Sequence, residues 1–273
     1  MDWGFTNRMS KLIKEDGHCF YLAMDHGYFL GPTHRLENVG KTLAPLAEYA
    51  DAVFIPRGSL RYSVPATTHL PIILRVSGGQ SISSEDLTNE DVTLSIEDII
   101  RLNASAVGYS VYLGSPHEHQ TLMGLYRLIN MCRPYDIPVM AVTAVGRELD
   151  QKQQTRFLSM ACRVSAEAGA DVVKTYYCAD FEKVVEGCPV PVVIAGGPKT
   201  DSQLEVLKFV YDGMQRGAAG VNLGRNIWQD EYPPAMAAAL RAVIHEEATP
   251  QDAFDLYQSM KATPNRSAHN RAE

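Results

Sequence analysis

The sequence lacks the features that mark several common classes of protein. Its formal net charge is −7, so it has no basic excess with which to grip nucleic acid. It has no run of about 18 apolar residues, which argues against a membrane-spanning helix, and no apolar segment at its N-terminus, which argues against a signal peptide. We therefore expect a soluble, cytoplasmic chain that binds any anion through a local group of residues.

Several chemical motifs are missing as well. The five cysteines are odd in number, widely spaced and without a CxxC pair, which indicates reduced thiols and neither disulfides nor a zinc site. The eight histidines show no HExxH spacing, and His117 and His119 fall on different faces of a predicted helix. We expect neither a metal nor a bound cofactor. No GxGxxG follows the first predicted strand and no GxSxG occurs, so dinucleotide binding and serine hydrolysis find no support.

The sequence does contain a regular alternation of short apolar runs and amphipathic segments. Eight runs rich in Val, Ile or Ala are apolar on both faces, as parallel strands covered on both sides require. The predicted strands are 20–24, 52–55, 71–75, 106–112, 139–143, 171–175, 190–195 and 219–223. Predicted helices follow at 118–133, 155–168, 204–216 and 234–245, where apolar residues recur at helical spacing.

Eight strands alternating with helices predict an α/β fold, a closed (β/α)₈ TIM barrel. The alternative is an open doubly wound sheet, which usually has fewer strands. We expect a single barrel domain over residues 1–261, with short extra helices at the N-terminus and C-terminus, and a disordered tail at 262–273. The long connection 77–97 is expected to lie over the mouth of the barrel.

One lysine interrupts an otherwise apolar strand. If side chains alternate, Lys174 shares a face with Val172 and Tyr176, at the C-terminal strand ends where barrel enzymes place their active sites. Asp25 and His26 end the first strand at the same level. Facing the axis would desolvate the amine and lower its pKa towards roughly 7–8, which leaves a neutral nucleophile. Two structural roles stay open: a lysine that reaches out to solvent, and one held in a buried pair with an aspartate.

Glycines after the last two strands provide a second signal. Gly196 and Gly197 follow strand seven, and Gly224 and Arg225 follow strand eight. Phosphate sites in barrels are frequently built at these two loops from backbone N–H groups, and an arginine can add a bidentate contact. Ordinary turn geometry is the alternative reading. Arg57, at the end of strand two, is a further candidate for substrate binding, as is Tyr176.

Four segments together resemble the archaeal-type class I aldolase family of (β/α)₈ barrels. They read LAMDHGYFLGP, VVKTYY, PVPVVIAGG and GVNLGRNIWQ, and the likeness runs from about residue 17 to 257. The resemblance implies that Lys174 forms an imine with the substrate, that Asp25 and His26 line the site, and that the two glycine loops with Arg225 hold a phosphate. It also implies a homo-oligomer, as a ring or stacked rings.

Two departures from the family pattern refine the expected reaction. Sugar-bisphosphate aldolases carry a tyrosine near the end of strand five, whereas this chain reads Val142-Thr143-Ala144-Val145. The missing phenol favours a subgroup that passes an acetyl group from a phosphorylated diketone to coenzyme A. The loop after strand seven reads Gly-Gly-Pro-Lys where that subgroup is expected to have Gly-Gly-Lys-Lys, so Pro198 removes one backbone donor.

The expected function is therefore cleavage of a small phosphorylated ketone through a Schiff base on Lys174, with coenzyme A as co-substrate. Asp25 or His26 moves protons, and the sequence leaves both possible. Two alternatives remain: an aldolase that acts on a sugar phosphate such as fructose bisphosphate, and a protein that binds a phosphorylated metabolite without catalysis.

Overall fold

The described part of the chain contains ten strands. The computed structural model describes residues 2–144 and 151–262. The strands are β1 (Cys19–Ala23), β2 (Ala52–Pro56), β3 (Ile72–Arg75), β4 (Ser77–Gly78), β5 (Asp91–Val92), β6 (Ala106–Tyr112), β7 (Val139–Ala144), β8 (Val172–Tyr176), β9 (Val192–Ala195) and β10 (Gly220–Leu223).

Eight of these strands close into a parallel barrel in the order β1-β10-β9-β8-β7-β6-β3-β2. The predicted (β/α)₈ barrel is confirmed, and the predicted strand ends agree with the observed ones to within two residues. The open doubly wound sheet is excluded, because β1 pairs with both β2 and β10 and leaves no edge. The short strands β4 and β5 pair with each other in the long connection after β3.

Helices fill the connections between the barrel strands. They are α1 (Trp3–Leu12), α2 (Gly27–Leu30), α3 (Val39–Leu43), α4 (Arg57–Ser63), α5 (Ile96–Arg101), α6 (Glu118–Cys132), α7 (Gln151–Glu167), α8 (Phe181–Glu186), α9 (Gln203–Gln215), α10 (Arg225–Trp228), α11 (Pro233–His245) and α12 (Pro250–Ala262). The predicted helices correspond to α6, α7, α9 and α11. Within the described residues, none of these helices combines the length and the apolar character needed to cross a membrane.

Local sequence explains where several helices begin. Ser202 caps α9 by accepting a hydrogen bond from the backbone N–H of Glu205, the N-cap role for which serine is favoured. Ser95 caps α5 in the same way, through the N–H of Asp98. Pro233 occupies the first turn of α11, where a missing N–H costs nothing.

Alternation along the strands produces two core layers. Phe20 and Leu22 of β1 belong to the shell between barrel and helices, whereas Cys19 and Tyr21 point into the barrel interior. The same alternation places Val172 of β8 inside the barrel. The direction of each side chain near the mouth therefore follows from its position along its strand.

The extra helices at both ends cover the barrel. Leu12 of α1 packs into the barrel interior, with Met9 and Ile13 against the same cluster. Tyr257 of α12 is buried, and its hydroxyl donates to Asp230 Oδ1 at 2.9 Å. The predicted terminal helices are thus confirmed. Apart from Ala262, which ends α12, the predicted tail 262–273 lies outside the described residues.

A partly buried ion cluster joins α11 to the residues that precede β1 and β2. The ring of His245 lies between two carboxylates, with Nε2 2.9 Å from Asp51 Oδ2 and Nδ1 2.7 Å from Asp16 Oδ2. Burial alone would lower the pKa of His245, but both aspartates raise it above its usual value. Burial would raise the pKa values of Asp16 and Asp51, but the bonds to His245 lower them.

This cluster should make the stability depend on pH. His245 makes its full contribution to the free energy of unfolding below the pKa of an unfolded histidine, about 6.5. This contribution is lost as pH rises through the raised pKa of His245 in the folded protein. The contribution of the two aspartates is complete above about pH 4 and is lost at lower pH. His245→Gln should therefore destabilise the protein most between about pH 4 and 6.5.

Urea unfolding of the wild type and His245→Gln at pH 5.5 and pH 9 measures this effect. The difference between their midpoints should be larger at pH 5.5. His69→Gln is the matched control, because His69 is exposed, and it should change neither midpoint. Equal differences at both pH values would show that His245 contributes only packing.

Candidate active site

Lys174 lies on the inward face of β8, as alternation from Val172 predicts. Its neighbours in register are Val142 of β7 and Val193 of β9, and its Nζ lies 5.4 Å from the centre of the Phe54 ring. Only 9% of the residue is exposed. Gly108 of β6 makes room for that ring, because a Cβ there would lie 2.4 Å from Phe54 Cε2. The amine thus stands among apolar groups.

This environment lowers the pKa of Lys174 to about 8, with burial as the main cause. The charge of Asp25 opposes the shift, and the positive charges of Arg75 and Arg225 add to it. A substantial fraction of the amine is therefore neutral near physiological pH. That is the form that attacks a carbonyl carbon.

Asp25 and His26 follow β1 and stand on the same side of the mouth. Asp25 is buried, and its Oδ2 accepts a hydrogen bond from Arg75 Nη1 at 3.2 Å. Burial lowers the pKa of His26 to about 4, so its ring is neutral at pH 7. Its Nδ1 lies 3.7 Å from Asp25 Oδ1 and, among the described residues, has no hydrogen-bond partner. This ring nitrogen is therefore not committed to another group in the described part of the chain.

Arg75 and Glu90 form a buried charged network that the sequence interpretation missed. Arg75 Nη2 donates to Glu90 Oε2 at 3.0 Å and to Ser110 Oγ at 2.6 Å. Ser77 Oγ donates to the same carboxylate oxygen at 2.7 Å. Since Arg75 also binds Asp25, it links two buried carboxylates. Arg75 interrupts the apolar run IILRV just as Lys174 interrupts its own strand, and that signal could have found it.

Two tyrosines complete this network. Tyr28 donates to Glu90 Oε1 at 2.7 Å, and Tyr112 donates to the same oxygen at 3.1 Å. Arg75 Nη2 is also hydrogen-bonded to the Tyr28 hydroxyl, and its guanidinium carbon lies 4.3 Å from the centre of the Tyr28 ring. Both carboxylate oxygens of Glu90 therefore accept hydrogen bonds within the network, which suits Glu90 to positioning Arg75.

The two glycine loops lie side by side, because β9 and β10 are neighbours in the barrel. A Cβ on Gly224 would lie 2.5 Å from the Ala23 carbonyl oxygen and 2.8 Å from His26 Cε1, so only glycine fits there. Arg225 follows directly at the start of α10. Its Nε is buried and, within the described residues, has no hydrogen-bond partner. A donor is thus available for an anion between the loops.

Asn226, which the sequence interpretation also missed, ties these loops together. Its Nδ2 donates to the carbonyl oxygens of Gly196 at 3.0 Å and Pro198 at 3.2 Å. Its Oδ1 accepts from the backbone N–H of Thr200 at 2.8 Å. An asparagine after a glycine and an arginine gives no sequence signal for this contact. The loop geometry that surrounds Gly196 and Gly197 nevertheless depends on it.

Two further candidates follow strands at the mouth. Arg57 begins α4, and its Nη1 lies 3.7 Å from Asp98 Oδ2 on α5. Its predicted role in substrate binding stays a prediction. Tyr176 ends β8 at the mouth and is 39% exposed. There it lines a cavity of about 590 Å³ together with Tyr28, Glu90 and Tyr112.

The end of β7 shows the consequence of the missing phenol. Thr143 Oγ1 donates to Thr175 Oγ1 at 2.8 Å, and Val142 packs against the interior cluster. Strand β7 carries no tyrosine as far as Ala144, its last described residue. Val145 lies outside the described residues. Within those residues, no three His, Cys, Asp or Glu side chains are grouped so that they could hold a metal ion.

Comparison with known proteins gives consistent matches. A family model described as DeoC/LacD family aldolase matches residues 19–230. The chain is 44% identical over 263 residues to the 3-hydroxy-5-phosphonooxypentane-2,4-dione thiolase of Escherichia coli K12, which covers 96% of this chain and 89% of that protein. The thiolase of the same name from Photorhabdus laumondii is 43% identical over the same shares.

Solved structures match as well. An archaeal fructose-1,6-bisphosphate aldolase, with its catalytic lysine covalently bound to the carbinolamine intermediate of the substrate, superposes with a TM-score of 0.78. It is 28% identical in sequence, and the match covers 88% of this chain and 99% of that one.

Proposed function

The chain belongs to the DeoC/LacD family of aldolases, and from that premise we propose that it cleaves 3-hydroxy-5-phosphonooxypentane-2,4-dione by acyl transfer to coenzyme A. Membership of this family confirms the resemblance inferred from the motifs. The choice of substrate rests on relatives of that name at 44% identity over 96% of this chain. The single observation that carries the mechanism is the buried amine of Lys174, whose pKa is lowered to about 8.

The first step is condensation of Lys174 with the ketone beside the phosphate-bearing carbon. The neutral amine adds to that carbonyl, water leaves, and a protonated imine forms. The thiol of coenzyme A then loses its proton and attacks the distal carbonyl. The bond between that carbonyl carbon and the hydroxyl-bearing carbon breaks, and the imine accepts the electron pair as an enamine.

The remaining steps release the second product. The hydroxyl-bearing carbon takes up a proton, which balances the proton lost by the thiol. Water hydrolyses the imine and returns the amine, so the products are acetyl-coenzyme A and dihydroxyacetone phosphate. We assign the proton transfer to His26, because it is neutral and its Nδ1 is buried without a hydrogen-bond partner in the described residues. Asp25, fixed by Arg75, orients the amine.

We place the phosphate between the loops after β9 and β10. Arg225 Nε is the buried donor that lies free among the described residues there, and Gly196, Gly197 and Gly224 allow a close approach of the backbone. Binding energy from the phosphate holds the reacting carbons near Lys174. Pro198 removes one backbone donor from this loop without affecting Asn226, which accepts from Thr200.

An aldolase acting on a sugar phosphate is the second candidate, because the archaeal aldolase matches at 28% identity. The absence of a phenol along β7 as far as Ala144 favours acyl transfer. Incubation with the dione phosphate plus coenzyme A, and separately with fructose 1,6-bisphosphate, decides between them. We expect acetyl-coenzyme A from the first reaction. Rapid cleavage of the bisphosphate with no acetyl-coenzyme A would identify an aldolase.

A protein that only binds the phosphorylated ketone is the third candidate. Borohydride reduces an imine to a stable amine, so mass spectrometry of the treated protein should show a substrate adduct on Lys174. Absence of an adduct, together with full ligand affinity in Lys174→Ala, would favour the binding protein.

Assembly and location follow as further parts of the proposal. We expect a homo-oligomer in the cytoplasm, with no bound cofactor and coenzyme A as a co-substrate. Light scattering counts the subunits.

A further inference from the structure

The cavity beside the barrel mouth lies opposite the predicted phosphate site. Its walls come from the connection after β3, from the end of β6, and from α2. In the ring of eight strands, β6 stands four places from β10, and β3 stands four places from β9. A substrate anchored by its phosphate at β9 and β10 therefore points its far end towards this cavity.

The chemistry of the walls excludes an anionic occupant. Tyr112 and Tyr176 supply aromatic surface, and Leu87 and Leu113 add aliphatic surface. Among the described residues that line the cavity there is no lysine, arginine or histidine, whereas Glu85 and Asp86 both line it. An extended, uncharged chain that carries hydrogen-bonding amides fits such a surface. Its volume of about 590 Å³ lies within the roughly 300–1,000 Å³ range of small-molecule sites.

Two connections link the cavity to the reacting centre. Glu90 forms part of its wall and holds Arg75, which in turn binds Asp25. Tyr176 forms another part and stands two residues beyond Lys174 on the same face of β8. A ligand in the cavity that extends towards the barrel axis therefore reaches the amine of Lys174. It approaches from the side opposite the loops after β9 and β10.

We propose that this cavity binds the uncharged, amide-containing arm of the thiol acceptor and directs its sulfur to the distal carbonyl of the substrate. The inference rests on the proposed acyl transfer and names the site of its second substrate. The anionic nucleotide end of coenzyme A stays outside the cavity, because the walls offer it no positive charge and Glu85 repels it.

Filling the cavity tests this assignment. Leu87→Trp adds bulk to its wall and should raise the KM for coenzyme A by about tenfold or more, with borohydride trapping of the phosphorylated ketone on Lys174 unchanged. Ile82→Trp is the matched control: it lies in the same loop, is 57% exposed and does not line the cavity. It should leave both values unchanged. An unchanged KM in folded Leu87→Trp would overturn the cavity assignment.

A second measurement on the wild type does not depend on the folding of a variant. Pantetheine has the amide arm and the thiol but no nucleotide, so it should accept the acetyl group with a KM within about tenfold of that for coenzyme A. Failure of pantetheine as an acceptor, with coenzyme A active, would refute the cavity and leave the proposed function intact. Absence of transfer to either thiol, with an adduct still trapped on Lys174, would refute the proposed function itself.

Discussion

Lys174→Ala should lower kcat/KM for acyl transfer by about a thousandfold or more, and should abolish borohydride trapping. A thousandfold loss corresponds to about 4 kcal/mol of transition-state stabilisation, since each 1.4 kcal/mol is tenfold. The loss is this large because no neighbouring group replaces the amine: Val142 and Val193 flank it in register, and Phe54 lies across from it. Lys174→Met keeps the apolar length of the side chain and serves as the folding control.

The pH dependence of trapping tests the electrostatic part of this prediction. The initial rate should rise with pH through an inflection near pH 8, the pKa of Lys174, and level off above it, because only the neutral amine reacts. Asp25 raises this pKa, so Asp25→Asn should move the inflection to lower pH. Arg225 lowers it, so Arg225→Met should move the inflection to higher pH. An inflection near pH 10.5, the usual value for lysine, would show that the amine is solvated.

The predictable part of this site follows from the backbone. Alternation along β8 predicted that Lys174 shares a face with Val172 and Tyr176, because successive side chains of a strand point to opposite faces. The closed barrel then places Asp25 and His26 at the same level, because both follow the C-terminal end of a parallel strand. The glycines after β9 and β10 are neighbours for the same reason. These relations depend on strand order, which the spacing of apolar runs determines.

The parts that escaped prediction depend on side-chain pairings across the barrel. Glu90 stands in a polar connection whose letters give no sign of burial, and it becomes buried because Arg75, 15 positions earlier, requires a partner. Arg57 begins α4 at the end of β2, and its ion pair with Asp98 is a second pairing that the sequence did not indicate. The periodicity of a sequence predicts on which face of a strand a side chain lies, but it does not predict which residue forms an ion pair with a charged side chain.

Arg75→Met should be the most destabilising single substitution among the residues of this network. Both carboxylates that Arg75 binds, Asp25 and Glu90, are buried, and its removal takes from both of them the guanidinium group that they share. Breaking a buried ion pair by removing one partner costs about 3–5 kcal/mol. Urea unfolding should show this loss as a lower midpoint with an unchanged slope. Arg163→Met, which breaks the exposed pair with Glu167, is the control and should leave the midpoint close to that of the wild type.

Restoring charge balance separates this electrostatic cost from lost packing. Glu90→Gln removes one of the two stranded carboxylates, so the double variant Arg75→Met, Glu90→Gln should be more stable than Arg75→Met alone. In the single variant the pKa of Lys174 should also rise, because Arg75 lowers it and Asp25 raises it. The inflection of the trapping profile should then move to higher pH. A double variant no more stable than Arg75→Met would mean that Arg75 acts through its contacts with the rings of Tyr28 and Phe54.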